Sequence, residues 1–247
     1  MLPMPTLPRS ERLRAPALHG AWLDVAIAGV LAATTLVLAV PAFGTSTLWR
    51  DDAWTALTIK TDSVSEFLLV AVNAPGFSAL LKGWLAVVGF DEWKAQLLPL
   101  TFAVATPPLL YIVLVRRGLV RVAAASGGFL LAVSPEFLTH ATRVKQYTLD
   151  AFVVVCLLGL SWWLLDDVTS ARRWRLLALG GGIALVLSSP SVVYLAVGLG
   201  TGLLALLRED RLRLRVALAP IAAAGAFVAL WYMLVLRPAV PSALTLF

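Results

Sequence analysis

Apolar residues run along this chain in blocks far longer than a strand, separated by short polar segments. About 20 mostly apolar residues in helical conformation cross a hydrocarbon layer roughly 30 Å thick, so length is the first test of each block. Residues 21–43 form the first block that passes, broken only by Asp24 near its start. A basic leader, residues 1–20 with Arg9, Arg12 and Arg14, precedes it. A secretory signal has only about 7–15 apolar residues, so a span is the expectation here. Residues 77–90 are too few to cross and predict a helix lying at or dipping into the interface, with Trp84 and Trp93 as anchors. Residues 95–115 give the second span, stopping at Arg116 and Arg117, and residues 119–133 the third, ended by Ser134-Pro135 because the residue before a proline avoids helix. Residues 147–165 are the fourth. The run 176–207 is too long for one upright helix and is broken at Ser188-Ser189-Pro190-Ser191, which predicts two helices. Residues 216–236 make the seventh span. The expected fold is all-α and polytopic, with about seven spans in a module over residues 21–236, interfacial helices in a first outer loop 44–94, and a tail 237–247.

Composition agrees: 60% of residues are hydrophobic and 14% charged, against about a quarter charged in soluble domains. The net charge of +6 invites a nucleic-acid reading until the cations are sorted by side. Cytoplasmic loops carry the excess of Lys and Arg. With the N-terminus inside, the inner segments hold 13 of the 20 basic residues and 6 acidic ones, a net +7, while the outer segments hold 7 basic and 8 acidic, a net −1. The excess is therefore an orientation signal, with no nucleic acid implied. It places the N-terminus in the cytoplasm and the C-terminus outside, as for a plasma-membrane protein. Cys156 is the single cysteine, and His19 and His140 have no Cys partner, so neither a disulfide framework nor a zinc-type metal site is expected.

The chemically richer residues fall in the outer segments. In Trp49-Arg50-Asp51-Asp52-Ala53-Trp54, two adjacent carboxylates flanked by tryptophans at headgroup depth can supply a general base in an interfacial cleft. A helix N-cap opening an interfacial helix, with the tryptophans as belt anchors, accounts for the same pattern. In Arg143-Val144-Lys145-Gln146-Tyr147-Thr148-Leu149-Asp150, helical spacing puts 143, 147 and 150 on one face and leaves Lys145 elsewhere unless the turn is irregular. Cations at the mouth of a span can hold phosphate, and an ionisable Asp150 in the first turns of a span is a functional candidate. A snorkelling cation paired with Asp150 is the plainer account. His140, beside Arg143, is a local hydrogen-bonder or a site residue. Gly180-Gly181-Gly182 lacks the Lys and Ser or Thr of a phosphate loop and reads as close helix packing. Asp166-Asp167 reads as a solvated pair.

Taken in order, these features resemble the membrane glycosyltransferases that take a sugar from a polyprenyl phosphate, the GT-C class, and in particular its protein O-mannosyltransferase and aminoarabinose-transferase branch, glycosyltransferase family 39. Four blocks carry the resemblance: Asp51-Asp52-Ala53-Trp54 after the first span; Asn73-Ala74-Pro75-Gly76-Phe77 through Trp84 to Gly89-Phe90; Gln96-Leu97-Leu98-Pro99 leading to Arg116-Arg117; and Ser134-Pro135 followed by Lys145-Gln146-Tyr147. Arg143 stands where many relatives have an acidic residue.

The resemblance implies a GT-C-like module. Asp51 would be the base toward an acceptor hydroxyl, with Asp52 in support. Lys145 and Arg143 would hold the donor phosphate, and Tyr147, Asp150, His140 and Trp54 would shape the site. The implied reaction is displacement with inversion at the anomeric carbon on the outer face. Its partners would be a polyprenyl-phosphate sugar and the bilayer, with a divalent cation the one cofactor left open. Relatives usually run several hundred residues longer, so truncation after residue 247 and a second membrane chain that completes the enzyme belong to the same expectation. The alternative is a non-catalytic scaffold, lipid-carrier-binding partner or transport component with the same fold.

Overall fold

In a computed structural model of the chain, the structure describes residues 18–43, 52–53, 55–56, 59, 75–167, 170–187, 226, 229–230 and 233. The expected break at 188–191, most of the expected span 216–236, most of the leader and the tail lie outside these residues, as do Asp51 and Trp54.

The first apolar block becomes α1, Leu18–Ala39, extended by a 3-10 turn, Val40–Ala42, that opens with Pro41 near its N-terminus. The short block becomes α2, Pro75–Val88, of 14 residues. Gly89 stops it at φ +84°, with its N–H on the carbonyl of Leu85 at 2.9 Å, a conformation open to glycine because it lacks a Cβ. Trp84 is half-buried. Its indole N–H donates to the Lys94 carbonyl at 2.9 Å and ties α2 to the next helix, while Trp93 remains half exposed.

Helix α3, Glu92–Arg116, is 25 residues long and begins ahead of the apolar run expected from 95. It contains Pro99, Pro107 and Pro108. Each proline lacks an N–H for the helical ladder, and nearby hydroxyls make extra contacts to backbone carbonyls: Thr101 to Leu98 and Thr106 to Phe102, both at 2.6 Å. Neither carbonyl is one that a proline frees: those, four residues before Pro99, Pro107 and Pro108, belong to Ala95, Ala103 and Val104.

The expected third span is corrected. Helix α4, Arg121–Ala132, has 12 residues, about 18 Å at 1.5 Å per residue and too short to cross alone. Ser134-Pro135 does not end the structure: the Ser134 hydroxyl accepts from the Phe137 N–H at 3.4 Å and Pro135 opens α5, Pro135–Ala141, bent 58° from α4. Proline fits there because a first-turn residue needs no intrahelical N–H bond. Helix α6, Tyr147–Leu165, matches its predicted span, and α7 is Ala171–Leu187.

Among the described residues, three helices are long and apolar enough to cross a membrane, Gly20–Ala42, Glu92–Arg116 and Tyr147–Leu164, and the bent pair makes up to four. No strand occurs among the described residues, and the chain is an all-α membrane protein. Helix α3 is the hub, packed against α1, α2, α4, α5 and α6, with α7 on α6 and α2. Successive long helices reverse direction. The start of α1 meets the end of α3 through Asp24 and Tyr111, and the end of α1 meets its beginning through Ala39, Leu100 and Ala103. The cations sorted together by charge, Arg116, Arg117, Arg121, Arg172, Arg173 and Arg175, accordingly share one end of the bundle, called here the Asp24 end. The flanks that α1 and α4 leave exposed are hydrocarbon, including Val25, Val30, Val37, Val122 and Leu130.

The Asp24 end is pinned by a polar junction. Tyr111, fully buried, donates its hydroxyl hydrogen to Asp24 Oδ1 at 2.6 Å; Arg121 donates through Nε to the same oxygen at 2.7 Å and through Nη2 to Oδ2 at 3.2 Å. One carboxylate thus joins α1, α3 and α4. One turn and more along, Gly128 lets the three backbones close up: a Cβ there would lie 2.8 Å from Leu31 Cδ1 and 3.1 Å from the Pro107 carbonyl oxygen. In the glycine triplet, a Cβ on Gly180 would meet Leu160 at 2.9 Å, the close packing expected, whereas Gly181 faces open space.

Candidate active site

The opposite end of the bundle collects most of the buried polar side chains among the described residues. Asp52, Ser78, Gln96, Thr142, Lys145, Gln146 and Thr148 are all at most 7% exposed. In a protein that otherwise buries hydrocarbon, this concentration of buried polar groups marks a candidate site.

The segment between α5 and α6 is built by three local constraints. Helix α5 ends at Ala141, and the Arg143 N–H reaches the His140 carbonyl at 3.3 Å. The Lys145 N–H then donates to the Arg143 carbonyl at 2.8 Å, closing a three-residue turn around Val144. Val144 is fully buried and packs with Ile59, Phe77, Leu81, Leu98 and Leu149. Finally, the Thr148 hydroxyl donates to the Pro99 carbonyl at 2.9 Å, fastening the first turn of α6 to α3. Because α6 starts only at Tyr147, the helical-face argument that grouped 143 with 147 and 150 fails: the turn is irregular, and Arg143 and Lys145 flank the inserted valine.

The turn meets Asp52. Arg143 Nε lies 2.8 Å from Asp52 Oδ2, with Asp52 2% exposed. The two segments singled out separately in the sequence, 91 positions apart, form one site. Asp52 itself is helical, as is Ala53, so it stands within a helical segment. Lys145, 7% exposed, has no ion pair or side-chain hydrogen bond among the described residues. A buried ammonium costs free energy that an anion beside it returns.

Of the other expected residues, Tyr147 is 45% exposed and its ring lies 4.4 Å from that of His140. His140 Nε2 is 3.3 Å from Glu136 Oε1, and its Nδ1 is buried without a hydrogen bond among the described residues. Asp150 lies in the first turn of α6, where a carboxylate complements the helix dipole. Nothing in the sequence singles out Ser78, and Gln96 figures there only within a family block. Its burial at 2% exposure is signalled by one thing, a carboxamide at the head of an apolar block. Among the described residues no group of three or more His, Cys, Asp or Glu side chains is placed to hold a metal ion.

The arrangement can hold an anion at Lys145 beside a carboxylate whose charge is already balanced by Arg143. Comparison with known proteins gives one match: the family described as dolichyl-phosphate-mannose-protein mannosyltransferase, over residues 72–236. That stretch holds α2 to α7 and the 142–150 segment and begins after Asp52. No curated protein and no solved structure matches the chain.

Proposed function

From the premise that the chain belongs to the dolichyl-phosphate-mannose-protein mannosyltransferase family, of GT-C type, we propose that it transfers a sugar from a polyprenyl phosphate to an acceptor hydroxyl at the Asp52 end of the bundle. We place that end on the outer face of the plasma membrane, on the charge asymmetry of the loops.

The carrying observation is Lys145: a buried cation with no acid paired to it among the described residues, next to the Arg143–Asp52 pair. Lys145 holds the donor's phosphate, and Arg143 adds positive potential while orienting Asp52. The acceptor oxygen attacks the anomeric carbon from the face opposite the phosphate, the carbon–oxygen bond to phosphate breaks, and the polyprenyl phosphate leaves with the electron pair. The acceptor proton passes to a carboxylate, for which Asp51 is the better candidate because Asp52 is already engaged by Arg143. Charge-assisted contacts to the departing phosphate strengthen as its charge grows, and this lowers the barrier.

Purified protein given radiolabelled polyprenyl-phosphate sugars and hydroxyl acceptors should form labelled product. Lys145→Ala should weaken donor binding, and Asp51→Asn should lower turnover by at least the 10²-fold typical of a lost general base. Full turnover in Asp51→Asn would reject that residue as base. Carrier binding without transfer in the parent protein would identify a carrier-binding partner in place of an enzyme.

A further inference from the structure

The six arginines of the Asp24 end divide into two classes. Three are committed inside the protein. Arg121 is paired with Asp24. Arg117 is 2.8 Å from Asp166 and sits over the Trp162 ring at 5.7 Å. Arg173 donates to the Trp163 carbonyl, with its guanidinium 4.8 Å from that ring. The other three, Arg116, Arg172 and Arg175, are exposed and have no ion pair among the described residues.

Two of these sit where local physics disfavours them. Arg172 and Arg175 lie within the first five residues of α7, whose first turn contains no acid, and cations at a helix N-terminus oppose the macrodipole. The same end exposes Trp22 at 78%, Val120 at 71% and Val122 at 78%. Exposed guanidinium groups together with bare tryptophan and valine at one end of the bundle suit neither water nor hydrocarbon. They suit the boundary between the two, where phosphate and acyl chain meet.

We infer that Arg116, Arg172 and Arg175 form a docking surface for the phosphate headgroups of anionic phospholipids in the leaflet at the Asp24 end, with Trp22, Val120 and Val122 against the acyl region. The headgroups supply the counter-charge that α7 lacks. Arg117, Arg121 and Arg173 do not take part, because their guanidinium groups are already satisfied within the protein.

The test uses the full chain in nanodiscs of phosphatidylcholine alone or of an equimolar mixture with phosphatidylglycerol. Lipid retained through mild extraction, read by mass spectrometry, should be enriched in phosphatidylglycerol. Each of Arg116→Gln, Arg172→Gln and Arg175→Gln should lower that enrichment by about fivefold, the attraction of one juxtamembrane cation to an anionic surface. The Arg172→Gln/Arg175→Gln variant should melt no lower than the parent in phosphatidylcholine, where the dipole conflict is relieved, and lower than the parent in the mixture. A merely structural role would lower it in both lipids. Lys82→Gln, at the other end, should change nothing. Absence of enrichment, enrichment that survives all three substitutions, or an equal loss in Lys82→Gln would overturn the proposal. So would inorganic phosphate reproducing the stabilisation in phosphatidylcholine discs, which would mark a soluble-anion site.

Discussion

Asp52 and Arg143 are the pair on which the site's charge balance turns. A carboxylate 2% exposed depends on its guanidinium partner, and removing one member of a buried pair leaves the other uncompensated, at a cost of about 3 kcal/mol. Arg143→Gln should therefore lower thermal stability in detergent, and Asp52→Asn/Arg143→Gln should restore much of it because no bare charge remains. Equal stability of parent and Arg143→Gln would show that the pair is not what holds Asp52. None of this was legible in the sequence. The acidic pair and the 142–150 segment each stood out for their residue types, but a contact across 91 positions leaves no local periodicity. Helical geometry also misplaced Arg143, because the burial of Val144 overrides the propensity of the turn. Lys145 fared better: a cation next to an apolar run is visible at once, and only its burial needed the structure.

Among the elements, α1, α3 and α6 were readable from length and hydropathy, since a bilayer-crossing helix needs nothing beyond an apolar block. The bend at Ser134-Pro135 was read as a terminus because serine and proline signal equally the stop of one helix and the cap of the next. How the helices fit together was hidden, and it rests on small contacts. At Gly128 an added methyl meets the Pro107 backbone as well as Leu31; overpacking of this kind costs about 1–3 kcal/mol. Gly181→Ala adds its methyl to open space and should be neutral or stabilising by about 0.5 kcal/mol through helix propensity. Comparing the melting of the two variants checks both, and equal destabilisation would contradict the packing at Gly128. The Asp24 junction makes a further prediction. Tyr111 and Arg121 share one carboxylate oxygen, so the losses in Tyr111→Phe and Asp24→Asn should not add. Strict additivity in the double-mutant cycle would deny the shared bond.

At the scale of the whole molecule, the helices between Lys82 and Arg172 make three crossings, counting α4 and α5 as one. With Cys156 replaced by serine, single cysteines at these two exposed positions should be labelled from opposite sides of sealed vesicles. Labelling of both from one side would break the alternation. The charge count anticipated this grouping because it reports an average over many loops, and no single misread helix boundary alters it. The family match covers residues 72–236, yet α1, outside that stretch, is bonded into the bundle at both ends, through Asp24 and through Ala39.

The valine at the turn sets a rule for how such a site can vary. Arg143 and Lys145 are spaced by a hydrocarbon wedge seated in the core, so the turn works as a lever whose fulcrum is Val144. Exchanging either charged arm alters what the site attracts while leaving the lever in place. Shrinking the fulcrum, as in Val144→Ala, displaces both arms together, so an apolar residue that touches no reactant constrains the chemistry more tightly than either cation does alone.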